Sequence, residues 1–127
     1  MVLGICGGFQ MLGRAVDDPD GVESPRVRAE GLGLIAMTTR FEAEKTRHRV
    51  RGRALSGGSR VVGYEIHMGE TTLDPGIAPW FELTRERDGT VVMDGAAGPS
   101  GRIFGTYVHG LFDSESFTVD FVDRLRA

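Results

Sequence analysis

The sequence holds a single cysteine, Cys6, so no disulfide can form within the chain and a reducing compartment, the cytoplasm, suits it. It also lacks any apolar run near the ~18 residues that a membrane-spanning helix needs. The opening MVLGIC is apolar but carries no basic residue, and Gly7-Gly8 cuts it short, so it reads as neither a signal peptide nor a lipoprotein signal. A basic excess is missing too. The 15 Lys and Arg are outnumbered by 18 Asp and Glu, a net charge of −3, which argues against nucleic acid or an anionic membrane as partner. The one basic stretch, Arg47 to Arg53 (RHRVRGR), has the alternation of a strand with one solvated face. No G-x-x-x-x-G-K-[ST] phosphate loop occurs, so nothing here is expected to bind ATP, and no metal site is expected either.

What remains is a chain of 127 residues, 40% hydrophobic and 26% charged, the size and composition of one globular domain. Glycine is in excess. Its 19 residues are about twice the usual ~7% share, without any period. Val2 to Ile5 reads as a buried strand, and Phe9, Met11, Leu12, Ala15 and Val16 suit a short helix after it. Asp17 to Gly33 (DDPDGVESPRVRAEGLG) is expected to be a long surface loop, either functional or mobile. Strands are expected at 34–39, 47–55, 60–67, 81–87, 90–93 and 103–108. Asp88-Gly89 should turn a hairpin with both residues at positive φ. Ser114 to Arg126 should be a terminal helix with a stripe of Phe117, Phe121, Val122 and Leu125. The opening strand, turn and helix suggest a parallel α/β sheet, and the middle suggests a mainly antiparallel layer beside it.

The sharpest motif is Gly4-Ile5-Cys6-Gly7-Gly8, a G-x-C-x-G at a strand–helix junction. It has the form of a nucleophile elbow with sulfur in place of oxygen. A strained turn there wants small neighbours on both sides. The helix start beneath the sulfur offers free N–H groups that favour a thiolate, and the Gly7 N–H can donate to an oxyanion. Without its glycines, Cys6 would read as a small buried residue. Gln10, on the first helical turn, either faces the same cleft or lies exposed.

A thiol that attacks an amide needs a base. His48 lies between arginines and reads as surface. His67 ends an alternating strand (VVGYEIHMG), and His109 follows an apolar strand (GTYVHGLF). The carboxyl ends of sheet strands are where ligands bind in open α/β sheets, which favours His109 as the base. Asp113 is expected to cap the last helix rather than orient the histidine. Glu65 and His67 share a strand face and are candidates to line the cleft. The candidate substrate-binding positions are Gly7, Gln10, Tyr64, Glu65 and His67.

Four fragments in order, GICGGFQMLG, GLGLIAMTTRFEAEK, GYEIHMGET and GTYVHGLFD, span Gly4 to Asp113. Together with DPDGVES they resemble the glutamine amidotransferase domain at the C-terminal end of the cobyric acid synthase family. The resemblance implies part of a flavodoxin-like class I amidotransferase fold, with a parallel central sheet and an added, mainly antiparallel layer. It implies glutamine hydrolysis through a γ-glutamyl thioester, with Cys6 as nucleophile and His109 as base. The ammonia would pass to a synthetase domain or subunit that uses ATP and Mg to amidate adenosylcobyrinic acid a,c-diamide in cobalamin biosynthesis. Related triad enzymes carry an acid two residues after the histidine. Leu111 stands there, as in the cobalamin-type members, and no residue takes a third catalytic role.

The amidotransferase subunit of lipid II isoglutaminyl synthase shares C-G-G-x-Q and G-T-Y-x-H-G but is expected to lack GYEIHMG and the LFD after His109. A catalytically inactive fragment is the remaining alternative. By this resemblance residues 1–127 are the C-terminal part of the domain. The synthetase domain and the earlier strands that would supply a second oxyanion donor are absent, so the chain alone is expected to be a poor glutaminase prone to self-association.

Overall fold

A computed structural model describes residues 1–127. The apolar Val2–Ile5 forms strand β1, and helix α1 (Gly7–Met11) follows directly. The expected helix does not continue to Val16, because Gly13 packs against the chain at Met37, whose carbonyl a Cβ at 13 would approach to 2.8 Å. Ala15–Asp17 is instead a strand, β2, and Arg28–Glu30 is β3. The segment between them is not a free loop. The Asp18 carboxylate, almost fully buried, accepts the N–H groups of Val22, Glu23 and Ser24 at 2.7, 2.9 and 3.0 Å.

The strands expected at 34–39 and 47–55 merge into one 18-residue strand, β4 (Met37–Ala54), paired antiparallel with β5 (Arg60–Leu73). The pairing survives the merger because the register shifts between Arg40 and Lys45. Gly69 sits opposite at φ +102, where a Cβ would lie 2.5 Å from the Arg40 carbonyl oxygen, so this irregularity needs glycine. Arg47, Arg49, Arg51 and Arg53 are all exposed, as their alternation requires. The next strands are β6 (Phe81–Arg85) and β7 (Val91–Asp94). In the loop between them only Gly89, at φ +74, is left-handed. Asp88 is not, and its carboxylate accepts the Thr90 N–H instead.

Strands β8 (Ala96–Ala97), β9 (Ile103–Thr106) and β10 (Val108–His109), a 3₁₀ turn (Leu111–Asp113) and helix α2 (Glu115–Arg126) complete the chain. The cap expected at Asp113 does not form. Ser114 holds the N-cap position, and its hydroxyl accepts the Val62 N–H at 2.9 Å rather than bonding the helix. Of the expected stripe only Phe117 is fully buried, and Leu125 is half exposed.

The strands form two sheets. A three-stranded sheet runs β1-β9-β8, with β1 and β9 parallel and Gly4 opposite Gly105. A seven-stranded sheet runs β10-β5-β4-β2-β3, with β6 on β4 and β7 on β6, and it is antiparallel except where β2 meets β4. The architecture is mixed α/β with few helices, and parallel pairing occurs at β1–β9 and at β2–β4. Two apolar clusters join the layers, one around Trp80, Phe81 and Phe117, the other around Phe9, Met37 and Tyr107. No helix is long and apolar enough to cross a membrane.

Candidate active site

Cys6 stands at the turn between β1 and α1 with φ 57° and ψ −115°, the only non-glycine residue at positive φ. Holding a residue with a Cβ in so sparsely populated a backbone region costs roughly 1–3 kcal/mol. Two glycines make the turn possible. A Cβ at Gly4 would lie 2.5 Å from the Gly8 carbonyl oxygen, and one at Gly105, on the neighbouring strand, would lie 2.1 Å from the Phe9 ring. The helix therefore sits directly on a glycine pair in the sheet. Gly8, by contrast, has room for a side chain, since a Cβ there would meet nothing within 4 Å. The elbow thus requires a small residue before the cysteine, while the protein's own contacts do not require one after it.

The Cys6 N–H donates to the Thr106 carbonyl at 2.9 Å, and Sγ lies 3.5 Å from the Ile66 carbonyl oxygen. With only five residues, α1 has little macrodipole. What it offers is unbonded N–H groups: its first internal bond runs from Gln10 N to Cys6 O at 3.2 Å, leaving Gly7, Gly8 and Phe9 without intrahelical acceptors. Cys6, Gly7 and Gln10 form one wall of a cleft of about 310 Å³, and Ile66, His67 and Met68 of β5 form the other.

The two candidate histidines differ in what their nitrogens already do. His67 is buried, with Nδ1 2.7 Å from the Gly69 carbonyl and Nε2 3.0 Å from Glu65 Oε2. A carbonyl only accepts, so Nδ1 carries a proton. Glu65 is ionised, so Nε2 carries one as well. Burial alone would raise Glu65 and lower His67. The hydrogen bonds and charges of His67 and Arg85 overcome it and hold Glu65 at about 2, while Glu65 and the Gly69 carbonyl raise His67. Arg85 clamps the same carboxylate at 2.9 and 3.1 Å. Both His67 nitrogens are committed to acceptors, so neither is free to take a proton from Cys6.

His109 is the opposite. It pairs with Tyr64 across β10 and β5, three residues after the Thr106 that receives the Cys6 N–H. Its Nε2 is the only buried side-chain nitrogen or oxygen without a hydrogen-bond partner. His109 does not bond Cys6 in this conformation and is not among the groups lining the cleft.

The structure therefore brings Cys6, Gly7, Gln10 and His67 together. Tyr64 and Glu65 do not line this cleft, although Glu65 reaches His67 from behind it. Tyr64 is half exposed and lines a separate hollow with Arg49 and Asp113, because β5 carries it beyond the cleft. Glu65 faces another cavity, of about 370 Å³, with Arg85 and Asp94. Three residues that the sequence did not single out belong to this buried network. Arg85 fixes Glu65. Tyr107 stacks on His67 with ring centroids 4.1 Å apart. Asp94 accepts from Thr106 Oγ1 and, at 3.2 Å, from the Tyr107 N–H. Tyr107 lay inside the GTYVHG fragment, so its motif was a signal. Asp94, the last residue of a short strand, gave none.

These groups predict how stability varies with pH. Burial pushes Asp94 up to about 6. Between the ordinary carboxylate value and 6 the folded protein holds a proton that the unfolded chain has released, so stability falls as pH rises through that window. The His67 contribution is complete below its unfolded value of about 6.5 and is lost as pH rises through its raised folded value. Glu65 acts in reverse, and its contribution disappears as pH falls from ~4.5 towards 2. The melting temperature should therefore peak near pH ~4, with each limb on the order of 1–3 kcal/mol. Asp94→Asn should flatten the fall from pH ~4 to ~6. A wild-type maximum at neutral pH, or an unchanged slope in the variant, would count against this assignment.

Comparison with known proteins places the chain. The profile of the CobB/CobQ-like glutamine amidotransferase domain matches residues 1–117. The chain belongs to this family. It is 44% identical over 124 residues to the cobyric acid synthase of Mesorhizobium japonicum, covering 98% of this chain and 24% of that protein. The cobyric acid synthase of Salmonella arizonae is 45% identical over 135 residues, covering 99% of this chain and 26% of that protein. That of Alkaliphilus metalliredigens is 42% identical over 135 residues, covering 98% and 27%. This amidotransferase domain thus spans about a quarter of the length of the curated relatives it matches.

Proposed function

We propose that this chain is the thiol-bearing part of the glutaminase of a cobyric acid synthase. Two observations carry the reading: a strained Cys6 at a strand–helix turn, and His109, three residues after the Thr106 that accepts the Cys6 N–H, whose Nε2 is buried without a partner. A buried imidazole nitrogen left without a bond is costly, and a catalytic role is one reason such a group is kept. In the proposed reaction His109 Nε2 takes the Cys6 proton as sulfur attacks the carboxamide carbon of glutamine. The Gly7 N–H stabilises the oxyanion. His109 then returns the proton to the leaving nitrogen, ammonia departs, and a γ-glutamyl thioester remains on Cys6. Water attacks the thioester carbon, its proton passes to His109, and glutamate leaves as the thiol reforms.

The same reading extends to the partner. The ammonia serves an ATP- and Mg-dependent synthetase unit, which amidates adenosylcobyrinic acid a,c-diamide in cobalamin biosynthesis, in the cytoplasm. ATP and Mg belong to that unit, and no cofactor belongs to this chain. The relatives' names and the length of them that lies outside the match support this. We also read β1, α1 and β9 as part of a flavodoxin-like amidotransferase sheet. The lipid II amidotransferase reading is less well supported, because the relatives reported above are cobyric acid synthases over nearly the whole chain.

The test is ammonia release from glutamine, with and without the remaining three quarters of a relative supplied as a separate chain. Weak release by the 127 residues alone and a clear rise on addition are expected. No release in either case would refute the glutaminase reading.

A further inference from the structure

Gln10 is held in one orientation. The Met68 carbonyl, 3.3 Å from the Gln10 side chain, can only accept, so the Gln10 Nε2 amine must face it. The second Nε2 proton goes to the Tyr107 hydroxyl oxygen at 3.2 Å. That hydroxyl, having accepted from Gln10, directs its own proton to Thr71 Oγ1 at 2.6 Å, and Thr71 in turn bonds Thr39 Oγ1 at 2.8 Å. Gln10 Oε1 is left without a protein donor. It is not a fully buried atom, since His109 Nε2 is the only buried side-chain nitrogen or oxygen without a partner, and Gln10 lines the Cys6 cleft. The ring of Tyr107 is fixed independently, stacked on His67 and edge-on to Phe9 with centroids 5.0 Å apart. Burial raises the Tyr107 phenol above its ordinary value, so the hydroxyl stays protonated at working pH.

We propose that Tyr107 is a positioning residue: it locks the Gln10 carboxamide so that its carbonyl oxygen faces the Cys6 cleft as a hydrogen-bond acceptor for the N–H groups of an amino-acid amide. The proposal rests on the glutaminase reading for its substrate class. It explains why an amide rather than a carboxylate stands at position 10. A glutamate there would set two acceptors, its own oxygen and the Met68 carbonyl, against each other. Without the Tyr107 hydroxyl only the Met68 carbonyl, at 3.3 Å, holds the amide, so its oxygen is held less firmly towards the substrate's N–H groups.

The test uses the 127-residue chain, Tyr107→Phe and a diazoketone analogue of glutamine that alkylates Cys6. The variant keeps the ring and both ring contacts and removes only the hydroxyl. The concentration for half-maximal labelling should rise roughly three- to tenfold, the worth of one hydrogen bond. The limiting labelling rate should stay within about twofold, a split between binding and chemistry that a merely structural change would not produce. In a Gln10→Ala background Tyr107→Phe should add nothing, because its route of action is gone. An equal effect in both backgrounds, or no rise at all, overturns the proposal. A second measurement needs neither activity nor a variant: in the wild-type NMR spectrum both Gln10 side-chain amide protons should exchange slowly with solvent. Fast exchange of that pair overturns the proposal. Slow exchange with no labelling of wild-type Cys6 would instead count against the glutaminase reading.

Discussion

Cys6→Ser should lower kcat for glutamine hydrolysis by roughly 10⁴- to 10⁶-fold, the scale seen when a nucleophile is removed from a group of residues that act as a unit. The thiol matters because a thiolate is accessible near neutral pH and is intrinsically nucleophilic, whereas a serine hydroxyl needs its base at the instant of attack. Serine keeps the size of the side chain and the φ of 57°, so the fold should be unaffected. Cys6→Gly supplies a second, opposite readout. Glycine adopts this φ without penalty, so the variant should be equally inactive yet more stable by up to ~1 kcal/mol, a rise of a few degrees in melting temperature. Loss of activity together with a gain in stability is the signature of strain held for function. The measurement is ammonia release by the assembled enzyme, with calorimetry on the chain. Near-wild-type turnover in Cys6→Ser would remove Cys6 from the mechanism.

Part of this candidate site was legible in local chemistry: Cys6, Gly7, Gln10 and His67 line one cleft, while Tyr64, Glu65 and His109 do not. Gly4-x-Cys6 at the end of an apolar run announces a strained turn, and the structure shows why Gly4 is needed, with the Gly8 carbonyl 2.5 Å from where a Cβ would be. The alternation in RHRVRGR fixed which face of β4 is solvated. Failures arose where a long-range contact overrode a local signal. The two strands expected around Phe41 to Thr46 are one, because β5 pairs across the gap and Gly69 absorbs the change of register. Asp113 has the side chain of a helix cap, but the chain reaches its helix one residue later, and Ser114 bonds β5 instead. Glu65 and His67 were placed on one face correctly, and the inference that both line the cleft failed. Alternation says which residues share a face, and it does not say which cavity that face meets. Asp94 had no local signature at all. Its burial comes from Thr106 and Tyr107, more than ten residues away.

The same distinction between position and partner decides which histidine is the base. His109→Asn should reduce kcat by about 10³-fold or more, since general-base catalysis alone contributes ~10²–10⁴ and the base acts jointly with the thiol. His67→Asn should change kcat by less than about tenfold and act on KM and stability instead. The reason is proton inventory. His67 has its nitrogens committed to the Gly69 carbonyl and the Glu65 carboxylate, and that carboxylate is itself locked by Arg85. Removing a proton from His67 would leave a lone pair facing an acceptor, so the surroundings hold its protons in place and favour its charged form. Its replacement breaks a buried hydrogen-bonded ion pair, which costs on the order of 3–5 kcal/mol when one partner is lost. His109 has the reverse balance. Its Nε2 bonds nothing, so asparagine there forfeits no existing bond of that nitrogen, and stability should change by less than ~1 kcal/mol. The two variants therefore separate on two axes, with activity lost at one position and stability at the other. In the resting structure His109 does not bond Cys6, and such contacts often tighten only when substrate is bound. Exposure to the diazoketone analogue should therefore bring His109 and the modified Cys6 together. A His67→Asn variant that is stable and dead, beside a His109→Asn variant that still turns over, would exchange the two roles.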